Sequence, residues 1–149
     1  MEWGLVFKLV NLLALVAWIA LILLPRWPAL LSAILYFGIG LLCLIYAIGL
    51  IGVVSGLIPN PGGGGMDFTS IAGIRAIFAT DGGVTIGWTH YLAFDLFAGL
   101  WIARDADAKN VSRFLQAPVL LLTFLAGPLG LGIWLIAREP AARRQGRFR

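Results

Sequence analysis

The sequence predicts an all-α integral membrane protein: one domain, residues 1–149, built as a bundle of four transmembrane helices with a short interfacial or re-entrant helix between the second and third. Three observations predict it. Hydrophobic residues make up 60% of the chain and charged residues only 12%, where a soluble domain has roughly one quarter charged. Mean hydropathy is +0.95. The apolar residues also come in long blocks, and about 18 or more in a row suffice to cross a bilayer core of roughly 30 Å.

The first span runs from about residue 3 to residue 24. It stops at Pro25-Arg26-Trp27-Pro28, where two prolines make a tight non-helical turn. The second covers about 29–58, longer than a bilayer needs, with Gly38, Gly40, Gly49, Gly52 and Gly56 as places to bend. Gly52 and Gly56 form a small-xxx-small pair suited to close helix contact. Next comes PNPGGGG, with no Lys-Ser/Thr after its glycines, so it reads as a flexible linker rather than a phosphate loop. Ile71, Ile74 and Phe78 then share one face of a short amphipathic helix that Ser70 is placed to cap. The third span takes about 84–103 and the fourth about 117–137. A basic tail, 138–149, closes the chain. Trp3, Trp27, Trp88, Trp101 and Trp134 fall near helix ends, as interfacial aromatic belts do.

Charge excludes some classes. The pI near 9.8 does not indicate nucleic acid, because five of the eleven Lys and Arg crowd the last twelve residues. Such a tail marks a cytoplasmic face with anionic lipid headgroups. Glu2 and Lys8 interrupt any signal-peptide pattern. Four spans then predict a multi-pass protein of a bacterial inner membrane with both termini cytoplasmic, although Arg26, Arg104, Lys109 and Arg113 vote the other way. Asp105 and Asp107 read as loop solvation. The single cysteine, Cys43, excludes an intrachain disulfide, and one histidine with scattered carboxylates gives no metal-ligand spacing. No metal and no cofactor are expected.

The polar residues inside the third span carry the functional signal. Asp95 falls near the bilayer midplane, where an aspartate costs about 2.5–3.5 kcal/mol on insertion scales. Such a residue faces the bundle interior and has a partner. His90, the only histidine, lies five residues earlier. That spacing sets the two side chains about 140° apart on a helix, so they do not bond directly but can flank one cavity from two sides. Helix depth brings Lys8 and Asn11 to the level of His90, and Tyr46 to the level of Asp95. Trp88, Phe94 and Phe97 supply apolar walls. The competing readings are interhelical glue for His90 and Asp95, and snorkelling to the interface for Lys8.

The run SIAGIRAIFATDGGVTIGWTHYLAFDLFA, residues 70–98, resembles the core of the abscisic-acid-deficient-4-like membrane proteins. The resemblance rests on Gly73, Ile74 and Phe78, then Trp88, His90, Asp95, Leu96, Phe97 and Ala98, with Pro128 and Gly130 later in the chain. Plant members of that family are required for neoxanthin formation. The resemblance implies a carotenoid-type apolar ligand and cofactor-independent, isomerase-like acid–base chemistry on a polyene end group. A neutral Asp95 would donate a proton to an epoxide oxygen and His90 would accept one, or the roles would be exchanged. Membrane lipids, a second copy of the chain and pigment enzymes are the expected partners. Two other readings stand beside this one: a non-catalytic scaffold for pigment enzymes, and a small transporter or proton pathway.

Overall fold

The computed structural model describes residues 2–62, 67–144 and 146. Most of the glycine linker and the last arginines of the tail, Arg147 and Arg149, lie outside the described residues. The secondary structure of the described residues is all helical, without a strand: α1 (Trp3–Leu23), α2 (Pro28–Val54), α3 (Ile71–Ile77), α4 (Asp81–Ala108), α5 (Arg113–Leu125), α6 (Gly127–Ala137) and α7 (Glu139–Arg144).

Local chemistry sets the boundaries. Leu24 and Trp27 each precede a proline and are extended, with ψ at 156° in both, because the proline ring disfavours the α conformation before it. Pro28 then opens α2, where its missing N–H costs nothing. Within α2, residues Ile34–Gly40 widen into a π-helical segment. Gly38 sits there against α1 and α4; a Cβ on it would lie 3.3 Å from Ala17 Cβ and 3.4 Å from Leu96 Cδ2.

The second helix ends at Val54, not at the expected residue 58. Gly56 turns the chain with φ of +75°, and the Ile58 N–H returns to the Gly52 carbonyl at 2.8 Å. Ile58 thereby fills the notch at Gly52, where a Cβ would stand 2.3 Å from its Cδ1. The Gly52–Gly56 pair serves this fold-back rather than a helix contact. Ser70 caps α3 as expected, its Oγ accepting from the Gly73 N–H at 3.0 Å. Thr80 caps α4 in the same way, accepting from Gly83 at 3.1 Å, and Asp81 in the first turn suits the positive end of the helix dipole. These devices start α4 earlier than residue 84. It also runs past 103 and spans about 42 Å at 1.5 Å per residue.

α4 is the axis of the molecule. Leu92, Leu96, Leu100 and Ala103 are buried against Val10, Ala14, Trp18 and Leu21 of α1. Gly99 lets the Trp18 ring approach so closely that a Cβ there would meet it at 2.3 Å. On the outside the bundle is apolar: Leu5, Leu12, Val16, Ile48, Ile51 and Ile136 are all more than half exposed. The α1 and α2 helices are long and apolar enough to cross a membrane by length and composition.

The expected fourth span, 117–137, is not one helix. It is two short antiparallel helices, α5 and α6, hinged at Ala126, whose backbone is extended at φ −154° and ψ 76°. Pro128 is the physical reason. In a continuous helix it would leave the residue 124 carbonyl without its donor and clash with it. The two legs are packed closely enough that a Cβ on Gly130 would fall 2.4 Å from the Thr123 nitrogen. Both outer ends return to the same end of α4: Gln116 bonds Asp107 at 3.0 Å, and Trp134 and Arg138 bond Asp105 at 3.1 and 2.7 Å. The hinge reaches only the level of Tyr91 and Asp95. Trp3 lies instead beside Gly82, at the start of α4. The N-terminal end of α1 and the C-terminal end of α6 therefore lie at opposite ends of the bundle, which corrects the expectation of four spans with both ends on one face.

Candidate functional site

Two residues predicted to flank one cavity line two different ones. Both stand on α4, but a 140° turn separates them, and the neighbours on each side differ.

Asp95 is 7% exposed and faces the hairpin hinge. Its Oδ1 sits against Gly127, where a Cβ would be only 1.8 Å away. The Gly127 backbone and the Tyr91 hydroxyl both lie beside the carboxyl group. Gly127 opens α6, so the carboxyl lies at the N-terminal end of an 11-residue helix, a position that favours negative charge. The Tyr91 hydroxyl donates to the Leu125 carbonyl oxygen at 3.3 Å, at the end of α5. The second carboxyl oxygen, Oδ2, is buried and has no hydrogen-bond partner. A buried acceptor left unpaired costs about 1–3 kcal/mol. The groove at this point holds about 530 Å³ and is lined by Phe94, Phe97, Trp101, Pro128, Leu131 and Leu135 with Asp95 as its carboxyl.

This arrangement accommodates the carboxyl in either protonation state. Ionised, it could accept from the Gly127 N–H and from the Tyr91 hydroxyl. Protonated, it can donate to the Tyr91 oxygen while that hydroxyl donates onward to the Leu125 carbonyl.

His90 is exposed and faces a second cleft, between α2 and α4. Its ring lies 5.5 Å from that of Tyr46 and 4.7 Å from that of Phe94. The expected single cavity is thus two, with Phe94 between them. Trp88 and Asn11 belong to neither. Trp88 Nε1 donates to Asn11 Oδ1 at 3.0 Å, and its ring stacks on Tyr91 at 5.1 Å and on Phe7 at 6.1 Å. That pair ties α1 to α4. Lys8 is exposed and lines a third groove with Trp3, Phe7 and Asp81.

Asp105 and Asp107 are not solvating loop residues. Asp105 accepts from Lys109 at 2.6 Å, Arg138 at 2.7 Å and Trp134 at 3.1 Å. Burial pushes its carboxyl upward, but the Lys109 and Arg138 bonds and charges outweigh burial and hold it below the ordinary value. Asp107 accepts from Arg26 and Gln116, both at 3.0 Å, and Arg26 also donates to Gln116 Oε1. Burial draws the Arg26 guanidinium below its usual value, while the Asp107 charge and hydrogen bond act against it. This network clamps the open end of the hairpin to α4. Three groups escaped the sequence reading: Tyr91, Gly127 and Gln116. The signals were present, in the Trp88–Tyr91–Asp95 stripe at helical spacing and in the Gly-Pro step at 127–128.

No curated protein and no solved structure matches the chain. The model of the ABA DEFICIENT 4-like family matches residues 5–134, a stretch that takes in the α4 carboxyl and imidazole, the α3 glycine and phenylalanine, and the hinge proline. With the motif residues of the resemblance so disposed about α4, and nearly the whole chain covered, this protein belongs to the ABA DEFICIENT 4-like family.

Proposed function

We propose that the chain is a membrane-embedded protein acting on the end group of a carotenoid-type polyene, with Asp95 as its acid–base residue. The observation that carries the reading is the unpaired Asp95 Oδ2, buried at an apolar groove beside the α6 N-terminus. Family membership supports a carotenoid-related role. The apolar groove walls suit a polyene held by dispersion with water excluded.

In this reading the end-group oxygen lies at Oδ2. The protonated carboxyl gives its hydrogen to an epoxide oxygen, and the C–O bond breaks with its electron pair going to oxygen, which becomes a hydroxyl. A proton then leaves the neighbouring chain carbon to the Asp95 carboxylate, its C–H electrons form the new double bond, and the acid is restored. The result is an isomer, with no net oxidation. Between the two transfers the carboxylate would lie beside Gly127 at the start of α6, where the helix dipole favours negative charge. The base role that the sequence suggested for His90 passes to this carboxylate, because His90 faces the other cleft.

Orientation follows from charge. Arg26, Arg104, Lys109, Arg113, Arg138 and Arg143 gather at the hairpin's open end, against Lys8 and Arg75 toward the other. With three crossings by α1, α2 and α4, the positive-inside rule supports a cytoplasmic arginine-rich end and a start of α1 on the far side.

The test is a pigment profile by chromatography and mass spectrometry. Wild type and Asp95→Asn, at matched membrane abundance, are expressed in cells making epoxidised and hydroxylated carotenoids. An isomer formed only by the wild type is the expected result. Unchanged pigments in every background would overturn the reading in favour of a non-catalytic scaffold.

A further inference from the structure

The cleft beside His90 plays no part in the chemistry proposed for Asp95, yet it is the more built of the two. It encloses about 260 Å³ where α2, α3 and α4 converge. Gly87 makes the convergence possible: a Cβ there would stand 2.3 Å from Phe78 Cε1, so the Phe78 ring forms a wall where a side chain would otherwise be. Leu50, Val53, Ile77 and Ile86 add apolar lining, and Asn60, whose amide bonds Thr80, adds a polar one.

One end of the cleft is polar. The His90 and Tyr46 rings face each other there at 5.5 Å. Among the described residues no hydrogen bond reaches the His90 imidazole or the Tyr46 hydroxyl. An imidazole carries a donor and an acceptor, and a phenol both donates and accepts. In hydrocarbon there is no water to meet them. Two aromatic polar groups converging on one small cavity therefore ask for an oxygen atom on a flat ligand. The volume sets the size. It is below the roughly 300–1,000 Å³ of sites that bury a whole drug-sized ligand, so it takes one substituted ring and leaves the rest of the molecule outside, in lipid.

We propose that the His90–Tyr46 cleft is a second binding site, separate from the Asp95 groove, for an oxygen-bearing six-membered ring that heads a lipid-soluble chain. The ring oxygen lies between the His90 N–H and the Tyr46 O–H, and the ring lies among Phe78, Ile86 and Leu50. Two kinds of molecule share that head: a quinone, and a hydroxylated end ring of a polyene.

The only histidine gives a direct probe, because protein labelled with ¹⁵N-histidine has a single imidazole. The full chain in phosphatidylcholine nanodiscs is titrated with a decyl-substituted benzoquinone and, separately, with 3-hydroxy-β-ionone. A saturable shift of the imidazole signals with either probe is expected, and the probe that acts names the source. Tyr46→Phe is expected to weaken binding about tenfold, the worth of one hydrogen bond. Leu50→Trp, which fills the cleft, is expected to abolish it, and Asp95→Asn is expected to leave it in place. The last result separates this site from the acid–base reading. No saturable shift with either probe would overturn the proposal, as would equal binding by wild type and Tyr46→Phe, a variant that keeps the ring and its packing.

Discussion

Asp95 and Gly127 meet so closely that the space for a methyl group on the glycine is taken by the carboxyl: a Cβ at 127 would lie 1.8 Å from Oδ1 and 2.4 Å from Cγ. The hairpin hinge and the α4 carboxyl therefore fix each other's position.

Gly127→Ala tests that relation. Overpacking in a tight core costs about 1–3 kcal/mol, so the melting temperature in detergent is expected to fall. The carboxyl must also move, so any product dependent on Asp95 is expected to fall with it. Combining Gly127→Ala with Asp95→Ala is expected to be less damaging to stability than the sum of the two, because each relieves the other. Strict additivity in thermal unfolding would show that the two residues do not touch.

The hairpin makes a topological prediction. In a Cys43→Ser background, Glu2→Cys and Arg143→Cys are expected to label from opposite sides of the membrane. With an impermeant maleimide on intact cells, Glu2→Cys should react and Arg143→Cys should not. Protection of both, or labelling of both, would restore an even number of crossings.

Asn11→Leu removes the Trp88 Nε1 hydrogen bond between α1 and α4. The expected loss is about 0.5–1.5 kcal/mol of stability, with unchanged pigment products, since Asn11 lines neither cleft. A changed product pattern at unchanged stability would return Asn11 to substrate binding.

Asp105 predicts a pH dependence. Its folded carboxyl titrates below the ordinary value of 3.8, because the Lys109 and Arg138 bonds and charges outweigh burial. A depressed acid stabilises the fold above its unfolded value, and that contribution disappears as pH falls through the lower, folded one. The melting temperature is therefore expected to drop as pH is lowered below about 4. Asp105→Asn should start lower and show a shallower fall. A parallel fall in both proteins would exclude Asp105 as the cause.

The long helices were legible because their signals are local. Pro25 and Pro28 end one helix and begin the next, and Ser70 sits three residues before the N–H it caps. The angle between His90 and Asp95 was also legible, and it is what separates the two clefts. The hairpin was not read from the sequence because a hydropathy window measures how much apolar chain there is, not whether it doubles back. Residues 117–137 hold enough to cross once, and only the Gly127-Pro128 step betrays the turn. Asp105 and Asp107 were misread for a similar reason. Lys109, four residues on, is the one local partner of Asp105; Arg138 and Arg26, which tie these carboxylates to other elements, are far away in sequence.

The doubled-back hairpin has a consequence for how the chain is made. At 1.5 Å per residue its legs are about 20 Å and 16 Å long, and each falls short of the hydrocarbon thickness. Neither is suited to leave the insertion machinery on its own, and the Leu125 carbonyl at the hinge takes its hydrogen bond from Tyr91 of α4. The hairpin is therefore expected to dock last, on a wall of α1 and α4 where Tyr91 and Asp95 meet the hinge and Arg26 bonds Gln116. On that order of assembly the Asp95 groove is expected to form last. A chain stopped after Lys109 is expected to insert three helices with Glu2→Cys labelled as in the full protein. Failure of that fragment to insert would show that the hairpin takes part earlier.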